Sequence, residues 1–275
     1  MGGSGLLHRG LTVLALALLG GCGGGDDNLL VPAELGAVYG GGGGDAGYII
    51  TNKDPASFGS ISGRVVFEGE PRKARPVDIP STQPFCRGAH PNGLFYETFV
   101  VGADGGLQGC IVYLKKGVVG LKFDAPSENV VLDQIGCQYV PHIIVLRTGQ
   151  PLLIKSSDAT LHNVKSLPGA NPGSINQAMS GVGQLSPMTF SKQEIKTFTC
   201  DVHQWMSAHV AIMAHPFVAI TGPDGSFELK GVPPGKYVLA AWHETLGEIE
   251  LGADGEPYVV KDNESKTETI TFTKK

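Results

Sequence analysis

The chain has 275 residues, enough for one or two domains. Only 17% of the residues are charged, and the formal net charge of −5 leaves no basic field of the kind that binds nucleic acid. Short runs of Val, Ile, Thr and Phe recur between turns formed by the 40 glycines, the 18 prolines and aspartates, and this pattern predicts an all-β chain of sandwich domains.

The N-terminal residues have the pattern of an export signal. Residues 1–9 carry a little positive charge, and the apolar run over 11–19 is too short to span a membrane. The small residues directly before Cys22 resemble a bacterial lipobox, which implies a signal peptide over 1–22, cleavage before Cys22 and lipidation of its thiol. An ordinary secretion signal with an incidental cysteine is the alternative. Both predict a protein that works outside the cytoplasm.

Residues 23–59 are rich in glycine, including the runs 23–25 and 40–44. Such a segment buries no core and costs much entropy to order, so we expect a flexible tether. With the lipid at Cys22, the tether would hold the folded part at a bacterial membrane, in the periplasm or at the cell surface.

Two separated parts of the chain carry related strand and turn patterns. Strands are predicted over 61–67, 110–114, 217–220, 226–229, 237–242 and 267–272, with turn signals at Pro223-Asp224-Gly225 and Val232-Pro233-Pro234-Gly235. Together these segments resemble the carboxypeptidase regulatory-like (transthyretin-like) β-sandwich. The resemblance implies one sandwich built from residues 60–124 and 215–275, into which a second domain over 125–214 is inserted or against which it is docked.

The middle segment contains the residues with the clearest chemical signature. Leu161-His162-Asn163-Val164 is followed much later by Phe198-Thr199-Cys200-Asp201-Val202-His203-Gln204-Trp205-Met206. Two imidazoles, a thiolate and a weak axial thioether are the ligands of a mononuclear blue-copper site. We therefore predict that His162, Cys200, His203 and Met206 bind one copper ion.

The surrounding strands, predicted over 130–133, 139–145 and 152–154, resemble those of the cupredoxins, and most closely of the amicyanin-like members. The resemblance implies a Greek-key sandwich and a one-electron carrier. It further implies that Asn163 hydrogen-bonds the ligand loop, that Phe198 packs inward and excludes water, and that His203 turns a solvent-facing edge towards a redox partner.

Other interpretations of the same residues remain open. A buried cysteine is usually an inert small hydrophobe, and Met206 beside Trp205 is also explained as core. Zinc is the rival metal because cysteine and histidine suit it as well, whereas the methionine favours copper. A copper-binding or storage protein without electron transfer, and a scaffold lipoprotein, are the alternative functions. No catalytic arrangement is evident, so we expect no enzyme.

Three further cysteines are left to place. We expect a disulfide between Cys86 and Cys137, although three cysteines allow three pairings, and we expect Cys110 to be a free buried thiol. The spacing from Cys86 to His90 also fits part of a second metal site, but it has no partners nearby.

Histidines outside the ligand motif receive structural interpretations. His142 lies on a predicted strand, and His209 and His215 are expected to be surface or strand residues. The pair His243-Glu244 is explained as the polar end of a strand. The copper motif is thus the main metal site that the sequence predicts.

Overall fold

The computed structural model describes residues 55–274, which fold into one short helix and seventeen strands. The expected signal peptide, the lipidation at Cys22 and nearly all of the tether lie outside the described residues. A 3-10 turn at Pro55–Ser57 and the start of the first strand at Gly59 fall inside the range expected to be tether. Within residues 55–274, no helix is long and apolar enough to cross a bilayer.

The helix α1 spans Pro84–Ala89. The strands are β1 Gly59–Glu68, β2 Ile111–Lys116, β3 Val130–Ile135, β4 Gln138–Val140, β5 Ile143–Arg147, β6 Leu152–Ser156, β7 His162–Ser166, β8 Ile175–Met179, β9 Gly183–Gln184, β10 Glu194–Thr199, β11 Ser207–Met213, β12 Val218–Ile220, β13 Ser226–Val232, β14 Gly235–His243, β15 Gly247–Leu251, β16 Tyr258–Val260 and β17 Ser265–Thr273. The expected all-β class is confirmed.

Strands from both ends of the described chain form the first sandwich. One sheet has the order β13-β1-β17, and the other has the order β12-β2-β14-β15, with β16 also paired to β14. Alternate side chains of the facing strands fill a shared core, which includes Ile61, Leu114, Phe227 and Ile270. The parallel strands β1 and β17 approach each other closely at Gly63, where a Cβ would overlap the backbone carbonyl of Glu268, so this position requires glycine.

Strands β3 to β11 form the second sandwich. Its sheets have the orders β4-β3-β6-β9 and β5-β11-β10-β7-β8, and a separate core lies between them. The strand predicted over 139–145 is interrupted at Pro141, which has no N–H for a ladder bond. The structure divides it into β4 and β5, which belong to different sheets.

A third cluster of apolar side chains lies between the sheet that contains β5 and β11 and the sheet that contains β2, β12 and β14. Its members include Ile143 and Ala211 on one side and Ile111, Val218 and Ala240 on the other. Strand β11 is therefore buried on both faces, which explains its nearly continuous apolar sequence. The described residues form one compact unit, so the expected boundaries 60–124 with 215–275 and 125–214 remain predictions.

Candidate metal centre

Three neighbouring strands bring the motif residues together at one end of the second sandwich. His162 is the first residue of β7, and β10 ends at Thr199, directly before Cys200. Strand β11 begins directly after Met206, so residues 200–206 are the loop between β10 and β11. Thr199 pairs with Lys165 on β7 and with Ser207 on β11, which places this loop beside His162.

Three potential ligand atoms converge inside the protein. The Nδ1 atoms of His162 and His203 are 3.0 Å apart, and the Cys200 sulfur is 3.9 Å from Nδ1 of His203. These ligand atoms lie within 4.8 Å of one another, and all three residues are buried. The site is therefore compact enough for a single metal ion.

Hydrogen bonds on the far sides of the two rings determine which nitrogens are free. His162 donates from Nε2 to a carboxylate oxygen of Asp158 at 2.9 Å, and His203 donates from Nε2 to the amide oxygen of Gln83 at 3.2 Å. In neutral imidazoles, both Nδ1 atoms then present lone pairs to each other and to the Cys200 sulfur. Electron pairs directed at a common point repel unless a cation lies among them, so this donor set fits a metal ion.

The pKa of His203 supports this protonation state. Burial and the neighbouring His162 both lower the pKa of His203, to about 4, although the charge of Asp158 acts in the opposite direction. The ring is therefore neutral at neutral pH, which is the form that binds a metal.

The Cys200 sulfur receives backbone support from two directions. The backbone N–H of His203 approaches it at 3.4 Å and that of Asn163 at 3.5 Å. Both contacts hold the sulfur in a fixed position beside the two imidazoles.

Asn163 holds the ligand loop in place, as the family resemblance implied. Its side-chain oxygen accepts hydrogen bonds from the backbone N–H groups of Asp201 at 2.5 Å and Val202 at 3.4 Å. Its side-chain nitrogen donates to Asn176 at 3.1 Å. The residue next to one imidazole thus fixes the loop that carries the thiolate.

Met206 and Phe198 belong to the same buried core cluster as Cys200. Both are buried in the core of the second sandwich, with side chains at most 2% exposed. The Met206 backbone closes the loop, since its N–H donates to His203 at 2.9 Å and its carbonyl accepts from Cys200 at 3.3 Å. The apolar surroundings keep water away from the donor atoms.

The helix α1 covers the outer side of the site, and the sequence did not predict this cover. The disulfide between Cys86 and Cys137, the pair expected from the sequence, anchors α1 over His203. The Cys86 sulfur is 3.4 Å from Nε2 of His203, and Trp205 donates to the Cys137 carbonyl at 2.9 Å. His203 is 0% exposed, so the expectation of a solvent-facing edge was wrong. The reason is that α1 and Gln83 occupy the place of solvent.

Asp158 is a second residue that sequence reasoning missed. Besides binding His162, its carboxylate accepts from the backbone N–H groups of Gly136 and Cys137, both at 2.7 Å. One carboxylate therefore orients an imidazole and fixes the disulfide segment, the arrangement common behind metal-binding histidines. A carboxylate four residues before His162 was the available signal.

The other cysteines within residues 55–274 supply no donor to this site. Cys86 and Cys137 lie near His203 and His162, but their sulfurs are joined to each other and offer no thiolate. Cys110 is free and fully buried in the first sandwich. Burial raises its pKa to about 12, although a hydrogen bond with Thr221 acts in the opposite direction. His90 donates to the Gly136 carbonyl at 2.6 Å, which gives it a structural role.

No protein-family model matches the chain, and no curated protein matches it. Among solved structures, a reduced tryptophan-to-tyrosine mutant of amicyanin is 19% identical over 32% of this chain and 86% of its own, with a TM-score of 0.29. An oxidised proline-to-glycine mutant of amicyanin is 17% identical over 42% of this chain and 92% of its own, also at 0.29. A copper-containing nitrite reductase from Thermus scotoductus is 17% identical over 35% of this chain and 25% of its own, again at 0.29. At such low scores the assignment rests on the site geometry.

Proposed function

We propose that the chain binds one copper ion at His162, Cys200, His203 and Met206 and carries single electrons as a blue-copper protein. The observation that supports this proposal is the convergence of two free Nδ1 atoms and a cysteine sulfur in a buried site. Copper bound there would supply a one-electron couple, because a thiolate, two imidazoles and a weak thioether suit both of its oxidation states.

The chain's own residues would restrict rearrangement around the ion. Asp158 orients His162, Asn163 fixes the loop, and the core around Phe198 excludes water. A site held in this way changes little when the charge of its ion changes, which favours fast electron exchange. A redox protein is the expected partner, and we propose no enzymatic activity.

The position of α1 over His203 favours a second candidate function, which is copper binding or storage without electron transfer. A carrier needs a short path from its ligands to a docking surface, and here α1 and the disulfide lie over the histidine ring. The two candidates differ in electrochemistry, because only the carrier needs a reversible one-electron couple.

The test is addition of copper(II) to the purified chain. We expect intense thiolate-to-copper absorption with one ion per chain, lost in Cys200→Ser and retained in Cys110→Ser, a matched change of the second free buried cysteine within residues 55–274. Voltammetry then separates the candidates, since a reversible couple supports the carrier and colour without a couple supports storage. Absence of colour in the intact chain would refute both.

The location of the protein is part of the proposal. We propose a lipid anchor at Cys22 that holds the folded part at a bacterial membrane, in the periplasm or at the cell surface. Fractionation of expressing bacteria tests it, because Cys22→Ser should move the protein from the membrane fraction to the soluble fraction. Membrane association that survives this change would contradict the anchor.

A further inference from the structure

A second cluster of metal-binding side chains lies where the two sandwiches meet. His142 is located between β4 and β5, His209 lies on β11, and Glu244 directly follows β14. Their side chains are 11%, 9% and 11% exposed, respectively. We call these three residues the seam cluster. None of them belongs to the motif that the sequence singled out.

The Glu244 carboxylate lies between the two imidazoles. One of its oxygens is 2.5 Å from Nε2 of His142, and the other is 3.1 Å from Nε2 of His209. The three ligand atoms lie within 4.8 Å of one another. Tetrahedral ligands at zinc distances are about 3.4 Å apart, so small side-chain movements accommodate an ion.

Hydrogen bonds behind both rings turn the Nε2 atoms towards the carboxylate. Nδ1 of His142 donates to the backbone carbonyl of Ser207 at 2.9 Å, and Nδ1 of His209 lies 3.1 Å from the hydroxyl of Thr197. Metal-binding histidines characteristically have such partners on their other nitrogen. Both supporting residues belong to the strands that frame the copper motif, on β11 and β10.

The tautomer of His142 requires a positive charge in the cluster. A carbonyl carries no hydrogen, so Nδ1 of His142 holds the ring hydrogen, and Nε2 of the neutral ring presents a lone pair to the carboxylate. A lone pair and a carboxylate oxygen at 2.5 Å repel unless a proton or a metal ion lies between them. Two imidazoles and one carboxylate directed at a common point are a common zinc-binding set.

We propose that the seam cluster is a binding site for a divalent metal ion of the zinc type, separate from the copper site. His142, His209 and Glu244 supply three ligands, and water supplies the fourth. The room for water is a cavity of about 20 Å³ beside His142 and Glu244, which Glu97 and His243 also line. A volume of about 10–15 Å³ is enough for one water molecule. The ion would cross-link the two sandwiches.

The experiment measures zinc bound to the full chain by equilibrium dialysis and elemental analysis. Because zinc also suits the thiolate site, we expect two ions in the intact chain. Glu244→Gln should weaken one of them by at least about 100-fold, and Thr197→Val should weaken the same ion by about tenfold, since even supporting hydrogen bonds change metal affinity by about 10- to 100-fold. Glu248→Gln is the matched control, because Glu248 pairs with Lys115 outside the cluster and its loss should leave both ions bound.

The variant Cys200→Ser separates this proposal from the copper assignment. It should remove or weaken only the ion at the thiolate site and leave the ion at Glu244 unchanged. If the copper assignment failed, Cys200→Ser would have no effect on zinc, whereas Glu244→Gln would still release an ion.

A measurement on the unmodified chain tests the proposal even if the variants do not fold. Nitrogen NMR of the histidine rings should show that zinc shifts Nε2 of His142 and His209. Unchanged ring nitrogens, or two zinc ions retained at full affinity by Glu244→Gln, would overturn the proposal. Protonated rings that exclude zinc would overturn it too, because a proton would then supply the positive charge.

Discussion

Loss of the disulfide that anchors α1 should destabilise the protein by an amount that depends on the length of the loop that the disulfide closes. Cys86 and Cys137 are 51 residues apart. Closing a loop of that length in the unfolded chain corresponds to about 4 kcal/mol of stability in the chain-entropy model. We therefore expect Cys86→Ala combined with Cys137→Ala to lower the free energy of unfolding by about this amount.

Denaturant unfolding of the metal-free oxidised protein measures the effect. Cys110→Ala is the control, since it removes a buried thiol without opening a crosslink and should cost about 1 kcal/mol. A loss in the double variant no larger than in this control would show that the crosslink does not stabilise the folded chain.

The double variant also tests the covering role of α1. With the anchor removed, Nε2 of His203 loses its contact with the Cys86 sulfur and becomes accessible to water. Copper should then pass faster to a chelator in solution, and the thiolate colour should remain until it does. An unchanged rate of copper loss would contradict the idea that the disulfide keeps the site covered.

Three further predictions follow from individual side chains. Met206→Leu should retain copper and raise the reduction potential in voltammetry, because the axial thioether is lost; an unchanged potential would exclude Met206 as a ligand. Asp158→Asn should weaken copper binding by about 10- to 100-fold in a chelator competition, because His162 loses its carboxylate partner, and equal affinity would contradict that role. Between pH 6.5 and pH 4 the intact protein should lose about 3 kcal/mol more stability than His215→Gln, measured by denaturant unfolding; parallel pH profiles would contradict this prediction.

The groups around His215 explain why the protein loses stability as the pH falls. Burial lowers its pKa to about 4 and Arg147 acts in the same direction, although the hydrogen bond to the Leu114 carbonyl opposes them. The unfolded chain binds the proton near pH 6.5, whereas the folded chain does so only near pH 4. The stability due to the neutral ring is therefore complete above pH 6.5 and is lost as the pH falls towards 4.

Strands with strict alternation were predictable from the sequence. Strand β13 alternates exposed and buried side chains over its first five residues, β17 alternates exposed with partly or fully buried side chains, and β1 carries the same signal more weakly. The division of the predicted strand at Pro141 was harder to see, because the apolar residues continue past the proline. Only the assembled sheets show that β4 and β5 belong to opposite layers.

The residues proposed as metal ligands could be picked out from the sequence because three of them lie in one short loop. Cys200, His203 and Met206 are close in sequence, so their spacing is itself a signal, and only His162 comes from elsewhere. Asn163 was identified through its position next to that histidine. Local spacing therefore identified the candidate centre before its geometry was known.

The cover and the seam cluster depend on contacts between distant segments. Helix α1 has only 6 residues and no capping side chain, so the sequence shows no helical periodicity that would predict it. Glu244 is 102 residues from His142 in sequence, and each residue alone has the pattern of an ordinary strand end. Only the packing of β5 and β11 against β14 brings them together.

X-ray absorption at the copper edge of the copper-loaded chain identifies the atoms bound to the ion. We expect one ion with one short sulfur ligand and two imidazole nitrogens, and in Cys200→Ser the short sulfur contribution should disappear. A copper environment of nitrogen and oxygen alone in the intact chain would contradict it.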